Sequence, residues 1–203
     1  MRKPKSRLSV HRGSFIRLNV RAAQVSSFRM CVDTVHTAPT LSQWLGFVRT
    51  CSDDELYDLI YGFGLHGRMP GGFMGTLDKD DFNFCYRAAV ICYGVTGSIQ
   101  VPREMQLKAV LSDYHGKDTL VSAGTGSGKT LPIALNVLLD DPDKHLITVT
   151  LSPLKRLQMT QESDFNTRYG IPTVVINEDT PREDVWWNVT CPSCVSCAYV
   201  TSI

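Results

Sequence analysis

The chain has 203 residues, 43% of them hydrophobic, enough apolar material for the core of one ordinary domain with appendages. No apolar run approaches the roughly 20 residues that a membrane-spanning helix needs, so composition argues against a helical membrane protein. The net charge of +1 hides an asymmetry: residues 1–30 hold eight Lys/Arg (Arg2, Lys3, Lys5, Arg7, Arg12, Arg17, Arg21, Arg29) and no acid, so all 20 acids follow.

The stretch 1–30 reads as a basic, disordered leader. The same composition suits a mitochondrial transit peptide or an arm that touches phosphate backbones. Seven cysteines, an odd number without a secretory signal peptide, fit a reduced intracellular compartment. Cys191, Cys194 and Cys197 have the spacing of a metal knuckle but no fourth ligand nearby, and structural zinc is almost always four-coordinate, so no zinc site is expected.

Residues 31–100 read as a small helical accessory region. Between about 38 and 65, Leu41, Trp44, Leu45 and Val48 form one apolar stripe and Leu56, Leu59, Ile60 and Phe63 another. Ser52 followed by Asp53, Asp54 and Glu55 predicts a helix start, with acids at the positive end of the dipole. Gly62, Gly64, Gly67 and the run Arg68 to Gly72 predict a flexible connection. A second helix is expected from about 77–81 to Tyr93. Another enters at Pro102 and carries Arg103 and Gln106 on one face, since residues three apart are neighbours on a helix.

The informative stretch is Ala123-Gly124-Thr125-Gly126-Ser127-Gly128-Lys129-Thr130, set between a short apolar run, Thr119 to Ser122, that reads as the preceding strand, and a helical pattern, Leu131 to Leu139. Its glycines let backbone N–H groups and a helix N-terminus converge on one anion. Lys129 adds a charge at the β/γ-phosphates, and the Thr130 hydroxyl is placed to hold Mg²⁺. Pro132 is tolerated in the first helical turn. His145 to Leu151 reads as a buried parallel strand, Leu154 to Phe165 as a helix closed by Gly170, and Ile171 to Ile176 as a further strand. A last short helix is expected over Pro181 to Asn188, and the tail 191–203 has no assignable pattern. The alternation predicts an α/β doubly wound fold over 101–190.

Three segments in this order, Arg103-x-x-Gln106, Ala123 to Thr130 and Leu151-Ser152-Pro153-Leu154-Lys155-Arg156-Leu157-Gln158-Met159-Thr160-Gln161, resemble the first motor domain of superfamily 2 helicases of the DEAD/DEAH type, most closely RecQ-like DNA helicases. The resemblance implies a P-loop NTPase of RecA-like fold, a partial parallel sheet with helices on both faces. It implies ATP and Mg²⁺ as cofactors, with Gln106 reading the adenine edge and Arg103 packing beside the ring. Ser152, Lys155 and Arg156 would contact a nucleic-acid backbone, in keeping with phosphate binding at a helix start. A single-stranded or duplex DNA partner, a monomer and a nuclear address go with the same likeness, whereas the basic, acid-free N-terminus leaves a mitochondrial address as the alternative.

Hydrolysis in that superfamily needs an acidic D-E-x-H or D-E-x-D box at a strand end. Val174 to Asp179 is the nearest imitation, with Asn177 where Asp is required. The chain is therefore expected to be a truncated motor lobe, binding ATP with little or no turnover, and Lys129 is its one catalytic candidate. The alternative is a non-catalytic nucleotide- or DNA-binding module with a basic N-terminal arm.

Overall fold

Thr40 and Ser52 start the first two helices by the same device. Each hydroxyl accepts the N–H of the residue three ahead, while that residue's side chain, Gln43 or Glu55, returns to the cap's own N–H. In the computed structural model, which describes residues 40–144, 146–180 and the backbone of 197–201, these helices are α1 (Leu41–Thr50) and α2 (Asp53–Gly62). The three acids expected in the first turn of α2 stand there.

The glycine-rich connection is ordered rather than flexible. A 3₁₀ turn at His66–Arg68 and the short helix α3 (Gly71–Met74) fill it, because Leu65, Met69 and Met74 bury their side chains in the core. Arg68 reinforces the turn by donating to the Ile99 carbonyl at 2.6 Å.

α4 (Lys79–Val95) is the long central helix, capped by Asp78, whose carboxylate accepts the Asp81 N–H. It packs against α1, α2, α5 (Glu104–Tyr114) and α6 (Thr130–Leu139). Its middle, Ala88 to Cys92, is fully buried, which is why its apolar residues surround the axis instead of forming one stripe. At Gly94 the helix passes so close to the Trp44 indole that a Cβ there would meet Nε1 at 2.6 Å. A single buried cluster joins side chains from all of these helices to Phe165, Tyr169 and Ile171. Arg49 ties α1 to the end of α6 by donating to the Leu138 carbonyl at 2.9 Å.

Cys85 and Cys92 lie in that core, and burial pushes both thiols up to about 12. The thiolate is the reactive form, so both should resist alkylation in the folded protein and react only on unfolding. Peptide mapping after iodoacetamide treatment with and without denaturant checks this.

Beyond α6 the chain forms β1 (Ile147–Leu151), α7 (Lys155–Thr167), β2 (Thr173–Ile176) and β3 (Cys197–Thr201). Gly170, at φ +65, makes the turn out of α7, as its placement suggested. The three strands pair in parallel in the order β1-β3-β2, with Val149 opposite Tyr199 and Val174 opposite the same residue.

Three expectations need correcting. β3 falls in the tail read as having no pattern, because a five-residue strand is defined by its two neighbours more than by its own periodicity. Thr119 to Ser122 does not form a strand, and none of the described strands pairs with it; Leu120 is 97% exposed. β1 is not buried: Ile147, Val149 and Leu151 alternate outward at 57–59% exposure, since β1 is a sheet edge and α7 lies over β2 and β3. The helix expected over Pro181 to Asn188, the leader 1–30, and Cys191 and Cys194 lie outside the described residues.

Candidate nucleotide site and nucleic-acid interface

The phosphate loop is built from its glycines outward. Gly126 and Gly128 both take left-handed backbone, at φ +79 and +78, where any side chain is strained. The loop closes through a Ser127 N–H to Gly124 carbonyl bond and hands over to α6 at Thr130. Ser127 Oγ, a loop atom, is buried and has no hydrogen-bond partner among the described residues. Lys129 folds back along the loop, donating from Nζ to the carbonyls of Ala123 (2.7 Å) and Gly124 (2.8 Å). An ammonium has three donors, so one remains for an incoming oxygen. Ala123, Gly124, Thr125, Gly126, Ser127, Gly128, Lys129 and Thr130 thus form one turn at the start of a buried helix, which suits a phosphate and its magnesium ion.

Gln106 is where sequence reasoning and geometry meet most closely. It lies in the first turn of α5 and is 4% exposed, whereas a Gln on a helix face is ordinarily solvated. Its Oε1 accepts the Arg103 N–H at 2.8 Å, and its Nε2 donates to the Gly128 carbonyl at 2.9 Å and to that of Ser127 at 3.4 Å. Both ends of the amide are therefore engaged by backbone. Gln106 bolts the start of α5 to the phosphate loop, and any base edge it reads must share those bonds. Arg103 stands exposed immediately before α5, beside that bolt.

The downstream segment lies between β1 and α7. Ser152 is 3% exposed with its Oγ unpartnered among the described residues, and its carbonyl accepts from Gln158 Nε2 at 2.7 Å. Lys155 opens α7, with Arg156 next to it, both on the exposed side. Lys155 is already paired: Nζ meets Glu178, and Asp179 at 2.9 Å, and these two carboxylates raise its pKa.

The sequence reading passed over Gln158 and its tie to the loop Asn177 to Thr180. Gln158 is fully buried and links Ser152 to Asn177, whose Nδ2 donates to Gln158 Oε1 at 3.4 Å. The available signal was a polar residue on the inward face of α7, one turn after the basic pair. Asn177 in turn shapes its own loop: Oδ1 accepts the Asp179 N–H, and its N–H donates to Thr180 Oγ1. Asn177, Glu178 and Asp179 thus engage α7 and one another, at the end of the strand farthest from β1.

Among the described residues no group of His, Cys, Asp and Glu could hold a metal ion, and no helix is long and apolar enough to cross a membrane.

Comparison with known proteins falls on this part of the chain. Residues 103–197 match the family model for the DEAD/DEAH box helicase, a span that begins at Arg103 and ends at the first residue of β3. The chain is also 28% identical over 87 residues to a mouse (Mus musculus) protein described as "Probable ATP-dependent RNA helicase DDX52", covering 41% of this chain and 14% of that protein. No solved structure matches the chain significantly. Both matches liken this segment to helicases, the family model to a DEAD/DEAH box helicase, and the narrower RecQ-like DNA reading draws no support from either comparison.

Proposed function

We propose that this chain is the nucleotide-binding part of a helicase motor of RecA-like fold, taking ATP·Mg²⁺ on the loop Ala123 to Thr130 and a single-stranded nucleic-acid backbone at Ser152, Lys155 and Arg156. The observation that carries the reading is the phosphate loop: two left-handed glycines, a buried unpartnered hydroxyl and a lysine with one donor to spare, set at the start of α6 and bolted to Gln106. ATP bound there would supply phosphoryl-transfer chemistry. Lys129 would neutralise phosphate charge, Thr130 would hold the magnesium ion, and Gln106 with Arg103 would favour adenine. The strand-end residues nearest in type to an acidic box, Asn177 to Asp179, are committed to α7, so the reading is one of binding with little turnover by this chain.

Titration calorimetry with ATP·Mg²⁺ and GTP·Mg²⁺ tests it. The wild-type chain should prefer ATP, and Gln106→Ala should narrow that preference. Equal affinity for the two nucleotides in the wild type would remove Gln106 from base recognition. DNA and RNA oligonucleotides of one sequence, measured side by side, decide between the RecQ-like reading and an RNA partner, which the relative's name favours.

A further inference from the structure

We infer that the loop Asn177 to Thr180 is an autoinhibitory gate: Glu178 and Asp179 occupy Lys155 as an intramolecular substitute for backbone phosphate. The inference rests on the proposed nucleic-acid contact at Ser152, Lys155 and Arg156 and adds how access to it is controlled.

Three observations carry it. First, one lysine meets two carboxylates, Glu178 and Asp179 (2.9 Å), that follow each other in sequence. Two adjacent carboxylates take up, in charge-assisted bonds, ammonium donors that a phosphate oxygen would otherwise receive. Second, the loop is built rather than free. Asp179 N–H donates to Asn177 Oδ1 at 2.9 Å, Asn177 N–H to Thr180 Oγ1 at 2.8 Å, and Thr180 N–H to the Asn177 carbonyl at 3.0 Å. Third, it is anchored to the very helix it covers, since Asn177 Nδ2 reaches the fully buried Gln158, whose other end holds the Ser152 carbonyl. The buried Gln158 is thus a positioning residue, fixing loop and helix start in one register. The acids' effect on charge decides the outcome: Lys155 and Arg156 alone offer +2 to a phosphate, and with Glu178 and Asp179 the patch is neutral.

The pair is exposed, with side chains 46% and 73–74% accessible, so the gate is weak and a strand can displace it. Solvent screening limits what such an exposed pair can withhold to roughly fivefold in affinity.

The test is fluorescence anisotropy with a labelled single-stranded oligonucleotide, titrated at several salt concentrations. Glu178→Gln/Asp179→Asn should bind roughly fivefold more tightly than wild type, with the slope of log K against log salt steeper by about 0.7, the value of one added phosphate contact on a single strand. Adding Lys155→Ala to that double variant should erase the gain. A charge control, Asp54→Asn/Asp80→Asn, removes two exposed acids from α2 and α4 and should bind as wild type does. The gate is overturned if the loop variant binds no better than wild type, or if the charge control gains equally. Those failures are distinct from failure of the underlying site, which would show as binding indifferent to Lys155→Ala and Arg156→Ala in both backgrounds.

Discussion

Gly128→Ala should sharply weaken nucleotide binding while leaving the protein folded. At φ +78 an L-residue is strained by about 1–2 kcal/mol, and the new Cβ would stand 2.5 Å from Gln106 Nε2, so the amide must leave the Gly128 carbonyl it now holds. The substitution therefore unbolts α5 from the loop and reshapes the cradle at once. Affinity for ATP·Mg²⁺ should fall by on the order of 100-fold, since a misplaced anion site forfeits several charge-assisted hydrogen bonds together. The melting temperature should drop by only a few degrees. Lys129→Ala separates charge from shape: the lysine is exposed, so affinity should fall with almost no change in melting. Gly124→Ala is the internal control, because nothing lies within 4 Å of a Cβ there and its φ is not left-handed; its melting should match wild type. Calorimetry and circular dichroism on the three variants check the pattern. Unchanged ATP affinity in Gly128→Ala would mean that the loop is not the nucleotide site.

The phosphate loop was legible because its signal is local. Glycine spacing, a lysine and a hydroxyl sit within eight residues, and the backbone geometry that reads them out is set by those residues alone. Ser52 and Gly170 were legible for the same reason, one as a cap and one as a left-handed exit. Contacts between distant segments were not. The burial of Gln106 depends on α5 packing against α6, which brings residues 22 apart in sequence into contact. The pairing of Lys155 with acids more than 20 positions downstream depends on β2 lying beside α7. From the sequence, two basic residues at a helix start suggest a phosphate; only the folded chain shows that two carboxylates have arrived first. β3 illustrates the limit for strands: Cys197 to Thr201 gains its identity from hydrogen bonding to β1 and β2, which no window of five residues contains.

Ile91→Ala should loosen the nucleotide site although Ile91 lies in α4, far upstream of the loop in sequence. The side chain is fully buried at the centre of the helix that packs on α1, α2, α5 and α6. Truncating a buried Ile to Ala costs about 2–5 kcal/mol through lost burial and the cavity left behind, a large share of the roughly 5–15 kcal/mol that holds a typical domain together. The melting temperature should fall by on the order of 10 °C. The decisive feature is how it falls. α6 carries the phosphate loop at its N-terminus and buries Leu131, Ala134, Leu135 and Leu138 in the cluster that also holds Ile91. Arg49 adds a hydrogen bond from α1 to the far end of the same helix. If the helices preceding the loop and the loop's own helix share one core, they unfold together, and loss of ATP binding on heating must track loss of helical signal in both wild type and variant. Two separated transitions, with nucleotide binding surviving the melting of α1 to α4, would show instead that the helical region is an independent appendage and that α6 draws its stability from the sheet.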